Sequence, residues 1–340
     1  MLDPFHLSPS WFDCWFAAYR GTAPRFLPVA EGRLYYVEDK RKVGPLGFKV
    51  ARGATNLQTA YFDICGTGDA AAAAGAADRL LEATGADMAE FDYVLAHSLL
   101  YRAAQEWLRG GRASVEPLGR TSLVLCTGRF EDWLATRRKT DRKAWVRNER
   151  RLAELGLVYE TVTDPPDPAR TAAEVIDVEA SGWKGAAHSS IRDDPRDAHF
   201  YTALTGAAAA AGALHIGVMR HDGRAVAFDY GILSGDRCLA LKASYREEYR
   251  SHGIGHVAAL KHVRDMFGQA PTRLYDNLGN GMTPHRHKVR FSTHYQLFYR
   301  IRMFAPSARG LLLREACRAY RGARTVREAV RPKPSFEPTL

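Results

Sequence analysis

The chain has 340 residues, of which 46% are hydrophobic and 25% charged, and its formal net charge is +10. This composition is ordinary for soluble globular protein and excludes a disordered or collagen-like chain, and no apolar run reaches the roughly 18 residues that a membrane-spanning helix needs. The length favours two domains, each large enough to bury its own core.

The cysteines give no sign of a disulfide framework or a metal site. There are five, all far apart, with no Cys-x-x-Cys pattern and no Cys/His cluster. We therefore expect reduced thiols and no bound metal. The N-terminus lacks the basic-then-apolar layout of a secretory signal, so the expected location is cytoplasmic.

The first part of the chain alternates predicted helices and strands. It begins with an amphipathic helix over 8–19, for which Ser8 is a suitable N-cap. The alternation predicts a domain of the α/β or α+β class over 1–128. The further elements are extended runs at 25–30, 34–38 and 48–51, helices at 70–82 and 98–108, and strands at 91–96 and 122–125.

A basic connecting helix is predicted over 129–156, with Gly156 as its C-cap. Its centre, Arg137–Arg151, is rich in Arg and Lys. Two interpretations remain open for these cations. They form either a solvated face opposite an apolar stripe or an arm that contacts the phosphates of a nucleic acid such as a tRNA.

A second domain is predicted over 157–305, followed by a basic helix and tail over 306–340. Its central feature is a β-hairpin whose two strands are joined by a turn at Ser234–Asp236. The other elements are strands at 157–162, 214–219, 273–276 and 293–303, and helices at 169–182, 195–211 and 257–267. This order predicts a mixed, mainly antiparallel sheet with helices on both sides.

The turn between the hairpin and helix 257–267 carries a basic and glycine-containing motif, Arg250-x-x-Gly253-x-Gly255. A helix N-terminus offers unpaired N–H groups and the positive end of the helix dipole, which together favour an anion such as phosphate. Taken without its neighbours, the motif is equally consistent with glycines that only turn a strand into a helix.

This motif resembles the pyrophosphate-binding signature of the GNAT superfamily of acyltransferases. Further phrases over about half of the chain resemble its double-domain CelD/BcsL-type branch, which is related to the Fem-type aminoacyl transferases. Those phrases are Trp183-Lys184-Gly185, the run Val226–Gly231, Leu241–Tyr245, and Asp276-x-x-Gly279 with Lys288 beyond it.

The resemblance implies two tandem GNAT-like domains, each a mixed and mainly antiparallel sheet flanked by helices, with the first domain degenerate. The first-half counterpart of the phosphate turn has Gly66 and Gly68 between Asp63 and Asp69. Two carboxylates beside a phosphate would repel it. We therefore expect the second domain alone to bind the acyl donor.

The resemblance also implies where the chemistry lies. Acyl transfer to an amine needs a neutral nitrogen, a held carbonyl and a proton for the departing thiolate. Asp229 is the predicted base and Tyr245 the predicted acid, while Lys242 is a catalytic group, a cross-strand ion-pair partner of Asp229, or a binder of an acidic acceptor or the acyl carbonyl. The predicted pyrophosphate-binding residues are Arg250, His252, Gly253, Ile254, Gly255 and His256. The predicted acceptor-site residues are Trp183, Lys184, Tyr230, Asp276, Asn277, His285 and Lys288.

Three functions remain open at this point. The first is an N-acyltransferase that moves an acyl group from acyl-CoA, for example acetyl-CoA, to an amine of a small metabolite by direct attack. The second is a Fem-like transferase that uses aminoacyl-tRNA, held by Arg137–Arg151 and the C-terminal basic helix. The third is a non-catalytic binding protein, and no membrane role is expected for any of them. The turn motif favours the first, because a tRNA donor needs no diphosphate pocket; the net charge favours the second, although an arginine-rich composition explains that charge equally well.

Overall fold

The computed structural model describes residues 4–43, 46–66, 70–278 and 290–330, and these fall into two compact units. The first unit contains the described residues within Met1–Pro24, Thr121–Asn280 and Pro284–Gln296. The second unit contains those within Arg25–Arg120 and Leu297–Leu340.

The helices and strands are as follows in chain order. The helices are α1 (Pro9–Tyr19), α2 (Ala70–Ala74), α3 (Ala76–Thr84), α4 (Leu99–Arg109), α5 (Phe130–Ala135), α6 (Lys139–Glu154), α7 (Pro168–Ala180), α8 (Trp183–Ala186), α9 (Pro195–Ala210), α10 (Ile254–Gly268) and α11 (Ala308–Val330). The strands are β1 (Phe26–Val29), β2 (Gly32–Val43), β3 (Leu46–Gly53), β4 (Met88–Leu95), β5 (Ala113–Leu125), β6 (Val158–Val162), β7 (Leu214–His221), β8 (Arg224–Ser234), β9 (Arg237–Tyr245), β10 (Leu274–Asp276) and β11 (His294–Phe304).

The sheet of the first unit is mixed and mainly antiparallel. Its order is β10-β9-β8-β7-β6, with the last residues of β5 beside β10, and β9–β10 is its parallel pair. The run Ala225–Ile232 of β8 is buried throughout, as expected for a strand covered on both faces. Helices α7 and α9 cover one face and α10 the other. The predicted hairpin and the helix that follows it are thereby confirmed.

Residues 130–154 form two helices where the sequence predicts one, so that prediction is wrong. Helix α5 ends at Ala135, and α6 begins at Lys139. The rings of Trp133 and Trp145 stack in parallel with centroids 6.5 Å apart. Residues twelve apart on one straight helix would be about 18 Å apart along its axis. Burying both indoles together therefore requires the chain to turn between them.

Helix α1 packs in the first unit, although it lies at the start of the chain. Its Trp11 ring meets the Phe200 ring of α9 edge-on at 5.5 Å, and the Tyr19 hydroxyl donates to Asp197 at 2.7 Å. Trp11, Phe12 and Trp15 are all buried. Aromatic burial thus fixes α1 beside α9, while the domain boundaries given from the sequence stay predictions.

The second unit also has a mixed, mainly antiparallel sheet flanked by helices, so the predicted fold class is confirmed. Its strand order is β1-β2-β3-β4-β11-β5, with β3 and β4 parallel. The helix predicted over 70–82 is interrupted at Gly75. Asp63 accepts the N–H groups of Leu99 and Leu100 at 2.8 and 2.9 Å, so its carboxylate caps the N-terminus of α4. Among the residues that the structure describes, no helix is both long and apolar enough to cross a membrane.

Candidate functional site

The turn before α10 has a backbone conformation that suits the binding of an anion. Gly253 adopts a left-handed φ of 68°, a conformation that glycine takes at no steric cost. No side chain caps α10, and the N–H groups of His256 and Val257 bond to the Gly253 carbonyl. Ile254 and Gly255 are the first two residues of α10, positions whose N–H groups have no partner within the α-helix itself. Their N–H groups lie at the positive end of a 15-residue helix, and Gly255 is the more accessible of the two because Ile254 is buried.

Both glycines of the motif are needed for close packing at this turn. A Cβ atom on Gly253 would collide with the side-chain amide of Asn148 in α6, and one on Gly255 would lie 2.8 Å from the Tyr245 ring. Neither glycine is fully buried. The turn is thus narrow, walled by α6 and by the end of β9, and still accessible to a ligand.

The charged side chains at the turn are distributed differently from the prediction. The Arg250 side chain is 72% exposed and pairs with Glu247 at 2.8 Å, and His252 is partly exposed. Burial, and next the charge of Arg290, lowers the pKa of His256, so its ring is neutral near pH 7. Positive potential here therefore comes from the helix N-terminus and Arg250, with His256 contributing none.

Strands β9 and β10 separate before the end of β9. Their pairing ends at Leu239 and Asp276, whereas β9 continues to Tyr245. Ala243 is exposed although β9 is an interior strand of its sheet. The end of β9 is therefore not paired with β10, and its last residue, Tyr245, lies against Gly255 of the turn.

Asp229, the predicted base, lies beneath α10. The carboxylate is 2% exposed, accepts a hydrogen bond from the Tyr275 hydroxyl through Oδ2, and lies 3.5 Å from His262 Nδ1 of α10. Its Oδ1 atom has no hydrogen-bond partner among the residues that the structure describes. In this position the carboxylate ties α10 and β10 to β8.

Two further buried groups complete this network. His262 Nε2 lies 3.0 Å from His215 Nδ1 and 3.9 Å from Cys238 Sγ. Burial disfavours the imidazolium, but the neighbouring Cys238 and Asp229 outweigh it and raise the pKa of His262 to about 10. Burial, and then the cation on His262, lowers the pKa of His215 to about 4. Near neutral pH, His262 is therefore protonated and His215 is neutral.

Lys242 lies on the opposite face of the sheet from Asp229. In the β8–β9 ladder Lys242 pairs with Tyr230, while Asp229 pairs with Ala243. Because neighbouring residues of a strand face opposite sides, the ion pair with Asp229, which was one of the alternatives for Lys242, does not form. The other roles considered for Lys242 stay predictions.

The carboxylate near Lys242 is Glu179 of α7, which the sequence analysis did not single out. Glu179 is fully buried; Oε1 accepts from Lys184 Nζ at 2.5 Å, and Oε2 accepts from the Ile191 N–H at 2.7 Å. Lys242 Nζ is 4.0 Å from Oε1. The structure thus brings Lys184 and Lys242, both predicted site residues, around one buried carboxylate.

The phrase Trp183-Lys184-Gly185 forms the short helix α8, directly after α7. Gly182 precedes it, and a Cβ atom there would lie 2.8 Å from the Tyr245 carbonyl oxygen. Trp183 is 57% exposed. An exposed indole therefore stands next to the lysine pair, close to the end of β9.

Of the remaining residues predicted for the acceptor site, three make buried contacts and two lie outside the described part of the chain. Tyr230 is buried and its hydroxyl lies 3.0 Å from Thr205 Oγ1. Asp276 is fully buried, accepts from Thr121 at 2.7 Å and pairs with Arg237 at 3.3 Å, and the Asn277 amide donates to the Ser122 carbonyl at 3.2 Å. These contacts hold β10 against β5 and β9. The predicted residues His285 and Lys288 lie outside the described part of the chain.

Part of the chain matches a known protein family. Residues 137–289 match the family model described as an acetyltransferase (GNAT) domain.

The chain contains a GNAT domain.

The resemblance drawn from the turn motif is thereby confirmed. No match was found among curated proteins.

Solved structures share the fold over most of the chain. FemX is 11% identical, with a TM-score of 0.57, over 87% of this chain and 91% of that one. The C-terminal domain of a putative lysylphosphatidylglycerol synthetase from Agrobacterium fabrum is 12% identical, with a TM-score of 0.53, over 92% and 96%. L-PGS from Bacillus licheniformis is 11% identical, with a TM-score of 0.50, over 86% and 88%. At these identities the likeness extends to the fold of the two units and no further.

Several residues that shape the GNAT domain were missed from the sequence. Glu179 had a detectable signal, because it falls on the same helical face as the buried Ala172 and Val175, where a carboxylate is unusual. No such signal marked Asn148, His262 or Tyr275, because the residues that they contact are distant in sequence. Within the described ranges no group of three His, Cys, Asp or Glu side chains could hold a metal ion.

Proposed function

We propose that the chain is a GNAT-type N-acyltransferase that moves an acyl group from acyl-CoA to the amine of a small molecule. The observation that carries the proposal is the N-terminus of α10 behind left-handed Gly253, which no side chain caps and where the first N–H groups lie at the positive end of the helix dipole. Such a turn suits a diphosphate, and it lies in the part of the chain that matches a GNAT domain.

The residues around the turn divide the work of binding and chemistry. When bound, acyl-CoA supplies the acyl group as a thioester. The open N–H groups and Arg250 hold its diphosphate, while the free end of β9 guides the acyl arm between the strands. The ring of Tyr245 lies against Gly255, and in this proposal its hydroxyl gives a proton to the leaving sulfur.

The acceptor enters from the face that carries Lys242 and Trp183. Its amine attacks in the neutral form, so the site needs to orient it and exclude water more than to remove a proton beforehand. Asp229 lies behind the sheet from Lys242, which gives it a positioning role: it fixes α10, and with it the turn, through His262 and Tyr275.

A thermal and kinetic test addresses the donor. We expect acetyl-CoA to raise the melting temperature of the full chain, because a ligand that binds the native state stabilises it. Thiol release should then accelerate when a panel of small amines is added. Stabilisation without amine-dependent release would favour the non-catalytic interpretation. No stabilisation by any acyl-CoA would remove the proposal.

A second candidate function has one specific observation in its favour. A surface groove of about 570 Å³ runs between α5 and α6. Five of its lining residues are cations and one is an acid: Lys139, Arg142, Lys143, Arg147 and Arg150, against Glu131. A row of cations with few acids suits a phosphate backbone, so an aminoacyl-tRNA is the alternative donor.

Salt dependence separates the two donors. If tRNA binds in the groove, its affinity should fall steeply with salt, and Arg147→Ala should reduce the slope of log K against log salt by about 1. Lys40→Ala, an exposed lysine on β2, is the matched control and should leave the slope unchanged. Binding of acetyl-CoA should respond only mildly to salt. Equal slopes for all three proteins would contradict a tRNA site in the groove.

A further inference from the structure

Lys184 and Lys242 lie around Glu179, and the charge of Asp197 in α9 also acts on Lys242. Both oxygens of Glu179 are engaged, Oε1 by Lys184 at 2.5 Å and Oε2 by the Ile191 N–H at 2.7 Å. Lys242 lies 4.0 Å from Oε1, beyond hydrogen-bond distance. Glu179 therefore bonds Lys184 directly, whereas Lys242 makes no direct hydrogen bond to it.

Lys242 is consequently left with few ways to satisfy its charge. Its side chain is only 17% exposed, and its nearest other contact is the face of the Tyr201 ring, with Nζ 5.7 Å from the centroid. Among the described residues its ammonium has no hydrogen-bond acceptor. A mostly buried cation without such acceptors is costly, and burial accordingly lowers the pKa of Lys242.

The position of the pair ties it to the opening beside β9. Lys184 Nζ also reaches the Ala243 carbonyl oxygen at 3.5 Å, and Ala243 is exposed at the point where β9 has left β10. Trp183, with more than half of its surface exposed, borders the same place. A ligand entering here meets an aromatic face and an ammonium group that has no hydrogen-bond acceptor among the described residues.

We propose that Lys242, supported by the Lys184–Glu179 pair, is a recognition site for an anionic group on the acyl acceptor, a carboxylate or a phosphate. This inference rests on the proposed function in one respect, namely that the anionic ligand is the acyl acceptor. An anion would supply the hydrogen-bond acceptors that Lys242 lacks, in a partly dehydrated site where such charge-assisted bonds are strong. The substrate class is then an amine that carries an acidic group, and neutral amines are poor acceptors.

The test compares matched ligands by calorimetry, with and without CoA. The probes are 5-aminovalerate, its neutral amide, and 3-aminopropyl phosphate, which share an amine and differ in the distal group. We expect the full chain to bind one of the anionic probes at least tenfold more tightly than the amide. Whichever anion binds better identifies the group.

Three variants decide whether Lys242 is responsible. Lys242→Gln should reduce the preference to within about twofold, and Lys242→Arg should retain part of it. Glu179→Gln should strengthen anion binding, because it removes the competing carboxylate. Lys40→Gln is the control and should behave as the unmodified chain does.

The outcomes separate this inference from the proposed function. Equal binding of anionic and neutral probes, or an anion preference that survives Lys242→Gln, overturns the inference even if CoA binds. Absence of CoA binding would instead remove the donor assignment, while the probe titrations without CoA would still report on Lys242. A circular-dichroism melt of each variant verifies that it is folded.

Discussion

At the scale of single residues, the buried carboxylate of Asp229 explains how α10 is seated. It accepts from Tyr275 of β10 and faces His262 of α10, so one side chain of β8 binds both neighbours. Removing one partner of a buried charge pair leaves the other uncompensated. The structural contribution of Asp229 is therefore larger than its position in a strand suggests.

Asp229→Asn should destabilise the protein by about 3 kcal/mol, because it leaves the imidazolium of His262 without its counter-charge. Urea denaturation followed by fluorescence measures the change. Asp222→Asn is the control, since that side chain is 96% exposed, and it should change stability by less than about 0.5 kcal/mol. If Asp229→Asn leaves stability unchanged but abolishes turnover, that result would instead support Asp229 as the catalytic base.

The two histidines predict how stability changes with pH. The pKa of His262 is raised to about 10, so its contribution is fully present below the unfolded value of about 6.5 and is lost as pH rises toward 10. The pKa of His215 is lowered to about 4, so its contribution is present above about 6.5 and is lost as pH falls toward 4. Together they place a maximum of stability near pH 6.5.

Chemical denaturation between pH 5 and 9 measures this dependence. Each histidine that titrates differently in the two states changes the slope by up to about 1.4 kcal/mol per pH unit. His262→Gln should flatten the alkaline limb and leave the acid limb. An alkaline limb that is as steep in His262→Gln as in the unmodified chain would show that other groups cause it.

At the scale of elements, the turn before α10 depends on the backbone of Gly253. Gly253→Ala should cost about 1–2 kcal/mol of stability because φ is 68°, and it should weaken CoA binding at least tenfold because the added methyl group collides with Asn148. Gly212→Ala is a matched control: φ is 64°, and nothing lies within 4 Å of the added Cβ. Calorimetry with CoA should find its affinity unchanged. Equal affinities in the two variants would show that the turn does not contact the donor.

The same elements show what could be predicted from the sequence. The hairpin, α10 and the glycine turn follow from local signals, namely alternation in strands, helical spacing and the need for a residue with positive φ. The split of residues 130–154 into α5 and α6 could not be predicted locally, because it results from the stacking of Trp133 on Trp145. The separation of Lys242 from Asp229 depends on the register and bulge of the β8–β9 ladder, which a single sequence does not determine.

At the scale of the whole molecule, the net charge is +10, and two separate clusters of cationic side chains contribute to it. The groove between α5 and α6 collects cations on the surface, whereas the Lys184–Glu179–Lys242 cluster places two ammonium groups around one carboxylate in a mostly buried site. The first suits a polyanion and depends strongly on salt. The second is largely shielded from salt and suits one small anionic group.

The account depends most on a diphosphate lying at the N-terminus of α10. Isothermal titration of the full chain with CoA and with pantetheine, which has the same thiol arm without the nucleotide and diphosphate, tests this directly. We predict that CoA binds at least a hundredfold more tightly than pantetheine. Equal affinities, or no binding of CoA, would contradict the account.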